Sequence, residues 1–418
     1  MKILWLSHFI PYPPRGGAHQ RSFNLIHHLS QKADVSLVAL NHEGHPQSRL
    51  SEYVRELRKS CVDVEVWEMP YRWRGLRWWM QLGLSPVDRY PMGCRGRWSR
   101  HLGARWSEIL KRHADSLIHF DSIDLALFAG AARTFRKVLN HHNCESAMVK
   151  RRAQLEHHPI KKRFLQAEAA KLEQLERAIC SEFNANVTVS ELDAELIQTH
   201  SPGAHCHVVE NGTDTNFFTP SATDPEPDSL IFSGSLSWYP NQSAIRYFDE
   251  KIWPLLKQQR PGVRLYVAGQ KPPPWMFKWA ERDPSITLVP NPADMRPWQA
   301  RASVFICPIV DGGGTRLKIL DSMAMGKAVV TTSVGCEGLL VKNGEHLLVA
   351  DDPSQFAGHI LRMLSEPAFR EQIARNGRSL VERMYSWEVI TQHLHEAYQC
   401  AVDPASCALR SSQEANDQ

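Results

Sequence analysis

The chain has 418 residues, with 49 Lys and Arg against 45 Asp and Glu and a net charge of +4. That length exceeds the roughly 250–300 residues at which one hydrophobic core stops growing, so two domains are expected and disorder is not the default. The small net charge does not imply a nucleic-acid partner, and no run of about 18 apolar residues offers a spanning helix.

Nine cysteines are scattered, odd in number and without a C-x-x-C pair, which argues against a disulfide framework or a zinc knuckle and for a reducing, cytoplasmic setting. The opening MKILWLSHFIPYPP has one basic residue, and Ser7, His8 and Pro11 break its apolar run, so it reads as a strand rather than a signal peptide.

Residues 2–7 form the first predicted strand. Prolines 11, 13 and 14 and the pair Gly16-Gly17 make a loop, and 21–29 has helical apolar spacing. Strands are then expected at 35–40 and 62–69 with a helix at 47–59 between them, and further strands at 116–120, 137–140 and 186–190. A second series starts near Cys206, with strands at 207–210, 229–233, 264–268, 286–289, 303–307, 328–331 and 346–349. Short apolar strands alternating with helices predict parallel sheets covered on both faces. The boundary is placed near residue 205, beside the turn-rich stretch 219–228; the amphipathic segment 387–399 is a helix, and the polar tail beyond Pro404 reads as disordered.

The densest chemical signal is GGGTRLKILDSMAMGKAVV at 312–330, behind the apolar strand SVFICP. Gly312, Gly313 and Gly314 let a ligand approach backbone N–H groups, and a helix starting near Thr315 aims its positive end at an anion such as a diphosphate. Arg316 and Lys318 add charge there, and Asp321 sits where it can accept from ribose hydroxyls. A flexible glycine turn beside a solvated helix end is the competing reading of that block taken alone.

PYPPRGGAHQR at 11–21, VTVSELDAELI at 187–197, NGTD at 211–214, IFSGSLSWYPNQSAIRYF at 231–248, the glycine block and EGLL at 337–340 occur in an order that resembles glycosyltransferase family 4. The resemblance covers most of the chain. It implies the GT-B architecture, two Rossmann-like domains facing each other across a cleft: an acceptor-side domain at 1–205 and a nucleotide-sugar domain at 206–385. A helix at 386–400 would return to the first domain, ahead of a tail at 401–418.

Carried over by position, the resemblance gives Gly16 and Gly17 an approach to the donor diphosphate and makes Arg316 and Lys318 the basic pair facing it. Asp321 falls on the second acidic position of the family's E-x7-E motif, and the first falls on Gly313, which has no side chain. Backbone amides at 312–315 would replace that carboxylate. In IHFD at 118–121, Asp121 stands where relatives carry a donor-contacting His, with His119 as the alternative. Gly234 permits close ligand approach, although Ser237, Trp238 and Tyr239 occupy a loop where relatives place basic residues.

His142, Asn143 and Glu145 in LNHHNCES end a strand and either face an acceptor or, for Asn143 and Ser146, cap the next helix. Ser190 reads as a helix cap, and NGTD as mostly a turn. Arg72, Arg74, Arg77, Arg95, Arg97 and Arg100 interleave with Trp73, Trp78, Trp79 and Trp98, a pattern suited to an anionic membrane surface or to a solvated face with Trp inward. Lys150, Arg151, Arg152, Lys161, Lys162 and Arg163 form a second basic set.

Together these readings predict a cytoplasmic glycosyltransferase, peripheral on the inner face of the membrane, that retains anomeric configuration. Its partners would be a nucleotide-sugar donor, a glycan or lipid-linked acceptor and an anionic membrane surface. No metal and no other cofactor is expected, because no D-x-D pair stands in a suitable loop. A non-catalytic nucleotide-sugar-binding protein and a sugar-nucleotide epimerase of the same architecture are the alternatives.

Overall fold

A computed structural model describes residues 1–14, 16–69, 83, 85, 88–312, 314–405 and 407. The chain divides into two compact units, Met1–Glu210 with Ile390–Gln418, and Asn211–Val389.

The first unit is built on β1 (Lys2–Ser7), β2 (Asp34–Asn41), β3 (Asp63–Glu68), β4 (Leu117–Phe120), β5 (Lys137–Asn140), β6 (Ala185–Thr188) and β7 (Cys206–Val208). They form one parallel sheet in the order β3-β2-β1-β4-β5-β6-β7. Helices between the strands include α1 (Gly17–Leu29), α2 (Arg100–Arg112), α3 (Glu145–Leu155), α4 (Pro159–Ile179) and α5 (Glu191–His200). Strands covered on both faces must be apolar on both, and β1 accordingly buries Leu4, Trp5 and Leu6 in succession.

Trp106 of α2 anchors one face. Its ring meets Trp67, Phe120 and Phe128 edge-on, and its Nε1 donates to the Phe128 carbonyl at 3.1 Å, so the indole is buried with its polar atom satisfied. The strand expected to open the second series pairs instead with β6 and closes the first sheet. With only three residues it is an edge strand, and it lies before the turn-rich segment.

The second unit holds β8 (Glu226–Ser235), β9 (Arg264–Gln270), β10 (Ile286–Pro290), β11 (Ala302–Cys307), β12 (Ala328–Thr331) and β13 (Leu348–Val349), parallel in the order β10-β9-β8-β11-β12-β13. Phe232, Val267, Val304, Phe305 and Val329 make its dry interior. Here α6 (Tyr239–Tyr247) follows β8 and α7 (Leu317–Ala324) follows the glycine loop. Strand order reverses between β1 and β4 in one sheet and between β8 and β11 in the other, and such reversals open a crevice at the carboxyl ends of the strands.

The last helix, α8 (Trp387–Val402), lies mostly in the first unit, where Tyr398 is fully buried. Cys400 and Cys407 are joined by a disulfide, whereas the sequence argued against a disulfide framework; this is one local link across seven residues, and the other seven cysteines are free. The tail reading lies outside the described residues from 408 onward.

Candidate functional site

In the first unit the register Leu6↔Phe120 brings Ser7, at the end of β1, beside Asp121, just past β4. The Asp121 carboxylate is fully buried. Ser7 and Ser22 donate hydroxyls to its Oδ2 at 2.9 and 2.8 Å, and the Asn140 amide donates to Oδ1 at 3.2 Å. His142 Nε2 stands 3.5 Å from Oδ1 and His119 Nε2 3.9 Å. Burial drives the Asp121 pKa upward but is outweighed by the His119 and His142 imidazoles beside it, so the carboxyl stays well below its usual range.

These bonds occupy the acceptor positions that a substrate hydroxyl would need, so Asp121 positions its neighbours rather than touching a sugar. His119 is equally enclosed. It stacks on Trp5 with ring centroids 3.6 Å apart and its Nδ1 pairs with the Tyr398 hydroxyl at 2.8 Å. Arg21, buried within α1, extends the network to the Asn140 side chain at 3.2 Å and to the Val209 and Glu210 carbonyls at 2.8 and 2.7 Å.

Beyond β5 the chain alternates. His141 turns inward to Asn186 Oδ1 at 3.1 Å, while His142 stays partly open beside His8 and Phe9. Asn143 and Glu145 are also partly open. Burial pushes the Glu145 carboxyl up to about 8, reinforced by Asp124 and opposed by a hydrogen bond from Asn143. Neither Asn143 nor Ser146 caps α3 with its side chain. The buried Glu176 carboxylate does that work, accepting the Ser146 backbone N–H at 3.0 Å. Ser190 does cap α5, accepting from the Asp193 N–H at 3.1 Å. Gly16 and Gly17 lie exposed at the start of α1.

In the second unit Gly234 closes β8 at φ 149°, and a Cβ there would come within 2.7 Å of Lys318 Nζ. The absent side chain is what lets the ammonium reach this strand end. Lys318 donates to Asn241 Oδ1 at 2.6 Å and sits 4.2 Å above the Phe232 ring. Burial lowers its pKa to about 8. Among the described residues no carboxylate forms an ion pair with it.

Gly312 has φ 108°, and a Cβ on it would crowd Pro240 and the Arg316 guanidinium at 3.1 and 3.3 Å. Arg316 is buried and donates to the Gly314 carbonyl at 2.7 Å. Helix α7 begins at Leu317, two residues later than expected, and Gly313 lies outside the described residues. NGTD, read from sequence as mostly a turn, also supports this loop. Asn211 donates to Thr315 Oγ1, and Thr213 to Asp321 Oδ1 at 2.6 Å. Burial pushes the Asp321 carboxyl up to about 7 despite the Thr213 bond. Ser7, Ser22, Asn140 and Asn241 were missed by the sequence reading; for Ser7 and Asn140 the signal is a polar residue closing a buried strand, whereas Ser22 and Asn241 lie within helices and carry no such mark.

The described part of the Arg/Trp region is not a free basic face. Arg97 is buried and pairs with Asp124 at 2.9 Å, Arg95 pairs with Asp88 at 2.6 Å, and Trp98 packs on the core. Of the basic residues named there, Arg100 is exposed. Arg72, Arg74 and Arg77 and Trp73, Trp78 and Trp79 lie outside the described residues. Two groups, His8–Asp121–His142 and Cys144–Glu176–His200, have ligand-type atoms within 4.8 Å of one another. Both carboxylates already accept protein donors, Glu176 from Ser146 and His200.

Two family models match the chain, "Glycosyltransferase Family 4" over residues 15–217 and "Glycosyl transferases group 1" over residues 227–366. The chain is 27% identical over 164 residues to an uncharacterized 44.6 kDa protein in the cps region of Klebsiella pneumoniae, covering 38% of this chain and 42% of that protein. It is 27% identical over 124 residues to the capsular polysaccharide biosynthesis glycosyltransferase CapM of Staphylococcus aureus, 29% of this chain and 32% of the other. These matches span less than half the length of either relative. The fold is similar to that of Alr3699/HepE of Anabaena, solved in complex with UDP, with a TM-score of 0.68 at 16% identity over 96% of this chain and all of the other.

Proposed function

Since this chain belongs to glycosyltransferase family 4 and has the GT-B fold, we propose that it transfers a sugar from a nucleotide-sugar donor to a glycan or lipid-linked acceptor with retention of configuration. The observation that carries this reading is the loop after β11, where Arg316 and Lys318 converge beside Gly234 and Gly312 at a strand-order reversal. Cations held at such a crevice fit a diphosphate. UDP bound to Alr3699/HepE supports the same ligand class.

Transfer breaks the bond between the anomeric carbon and a phosphate oxygen, so negative charge grows on the departing diphosphate. Lys318 and Arg316 stabilise that charge without reorganising, because both are already fixed by Asn241 and Gly314. The acceptor oxygen bonds to the anomeric carbon on the face the diphosphate leaves, and its proton passes to the departing phosphate oxygen. In the first unit, His142 faces the acceptor while Asp121 and Asn140 hold its ring. No step uses a metal.

The test is a thermal-shift screen against UDP-, GDP- and ADP-sugars, followed by turnover with the sugar that stabilises most. Stabilisation by one nucleotide class and product formation that persists in EDTA are expected. Donor consumption without acceptor, giving an isomeric nucleotide sugar, would instead establish an epimerase.

A further inference from the structure

We infer that the tip of the α3–α4 hairpin is a docking surface for an anionic phospholipid bilayer. The inference deepens the sugar-transfer reading and rests on it only in taking the acceptor to be lipid-borne. The two helices pack against each other and are joined by residues 156–158. At their shared tip Leu155 is 50% exposed and Ile160 74% exposed.

Around this apolar point the charge is predominantly positive. Residues 150–163 contain Lys150, Arg151, Arg152, Lys161, Lys162 and Arg163 against one acid, Glu156, which pairs with Lys161. Lys150, Lys161 and Arg163 are exposed. Lys161 and Lys162 in the first turn of α4, with Arg163 just beyond it and no acid in that turn, work against the helix dipole. An anionic surface removes that penalty, while Leu155 and Ile160 enter the boundary between headgroups and acyl chains.

The geometry also links this tip to the candidate site. Helix α3 leaves the sheet three residues after His142 and runs 11 residues to Leu155, about 16 Å. No helix among the described residues is long and apolar enough to cross a membrane.

The experiment is co-sedimentation of the full chain, without donor, with vesicles of phosphatidylcholine alone or mixed with phosphatidylglycerol. Binding to the anionic vesicles at least tenfold above the neutral ones is expected, falling as salt rises. Each basic residue near the surface strengthens binding roughly fivefold, so Lys161→Ser, Lys162→Ser and Arg163→Ser together should weaken it about a hundredfold. Ile160→Asp should weaken it about tenfold by removing the apolar anchor. Ile160 is exposed, so its variant should keep the wild-type melting temperature and nucleotide-sugar binding.

Equal binding to both vesicle types, no binding to either, or variants that bind like wild type would each overturn the inference. So would a lipid-free association between copies that Ile160→Asp abolishes, since the face would then belong to a dimer. Vesicle binding is read without turnover, so a failure here and a failure of the transfer reaction are separate results.

Discussion

The two strand-end clusters handle charge in opposite ways. In the first unit the Asp121 carboxylate is surrounded by two hydroxyls, an amide and two imidazoles, and its pKa falls well below the usual range. In the second unit the Lys318 ammonium has an amide oxygen and an aromatic face, and burial depresses its pKa to about 8. A buried charge whose hydrogen bonds are complete acts as scaffold. A cation held out of water without an ion-paired carboxylate keeps its field for a ligand, and an arriving anion gains from a group whose desolvation has already been paid for by the fold.

If that contrast is right, Lys318→Ala should have the largest catalytic effect, lowering turnover by about 10²–10³ as expected on losing one preorganised charge-stabilising group. Steady-state rates with the donor found by thermal shift check it. A wild-type rate would remove the lysine from the chemistry. Asp121→Ala should act instead on stability. It leaves the Ser7, Ser22 and Asn140 donors buried without their acceptor, which costs about 3 kcal/mol and appears as a lower urea midpoint. Nucleoside diphosphate affinity should change little in that variant, whereas it should fall in Lys318→Ala.

The pH dependence sharpens the same comparison. Because the native Lys318 pKa is lowered to about 8, the free protein loses this positive charge as pH rises through 8. Nucleoside diphosphate affinity should therefore decline by up to about tenfold between pH 7 and 9. Calorimetric titration at several pH values checks this, and in Lys318→Ala that decline should be absent. An unchanged slope in the variant would assign the titration elsewhere.

Much of the fold could be read from the sequence because a parallel strand buried on both faces is an uninterrupted apolar run. β1 and β12 have the expected limits for that reason. β7 was assigned to the wrong sheet because three residues carry no pairing information. At the site, the glycines and the Arg316–Lys318 pair stood out by composition. Asn241 and Thr213 did not, since an amide 77 residues from its lysine and a hydroxyl 108 residues from its carboxylate are brought there only by the fold. Asp121 was legible as a strand-end residue, but not its saturation by Ser7 and Ser22, which depends on how β1 and α1 converge on β4.

The smallest expected effect tests whether the second unit carries an electrostatic cost at Asp321 in exchange for function. Its native pKa is raised to about 7 from an ordinary 3.8, chiefly by burial, so between those values the native state binds more protons than the unfolded chain. Stability must then fall as pH rises from about 4 to about 7 and stay at the lower level above that range. Asp321→Asn removes the ionisation but keeps an oxygen to accept from Thr213, so the variant should match wild type near pH 4 and exceed it by about 1 kcal/mol above pH 7, the gain being modest because the side chain is only partly buried. Asp121→Asn should behave inversely. Its native pKa is depressed, so the wild-type carboxylate contributes stability above its ordinary pKa that is lost in acid, and the variant should be the weaker protein at neutral pH and converge with wild type as pH falls. Urea midpoints of both variants across this range separate the cases; if Asp321→Asn lost stability at neutral pH as Asp121→Asn does, the carboxylate at 321 would be part of the scaffold and the contrast between the two units would fail at that residue.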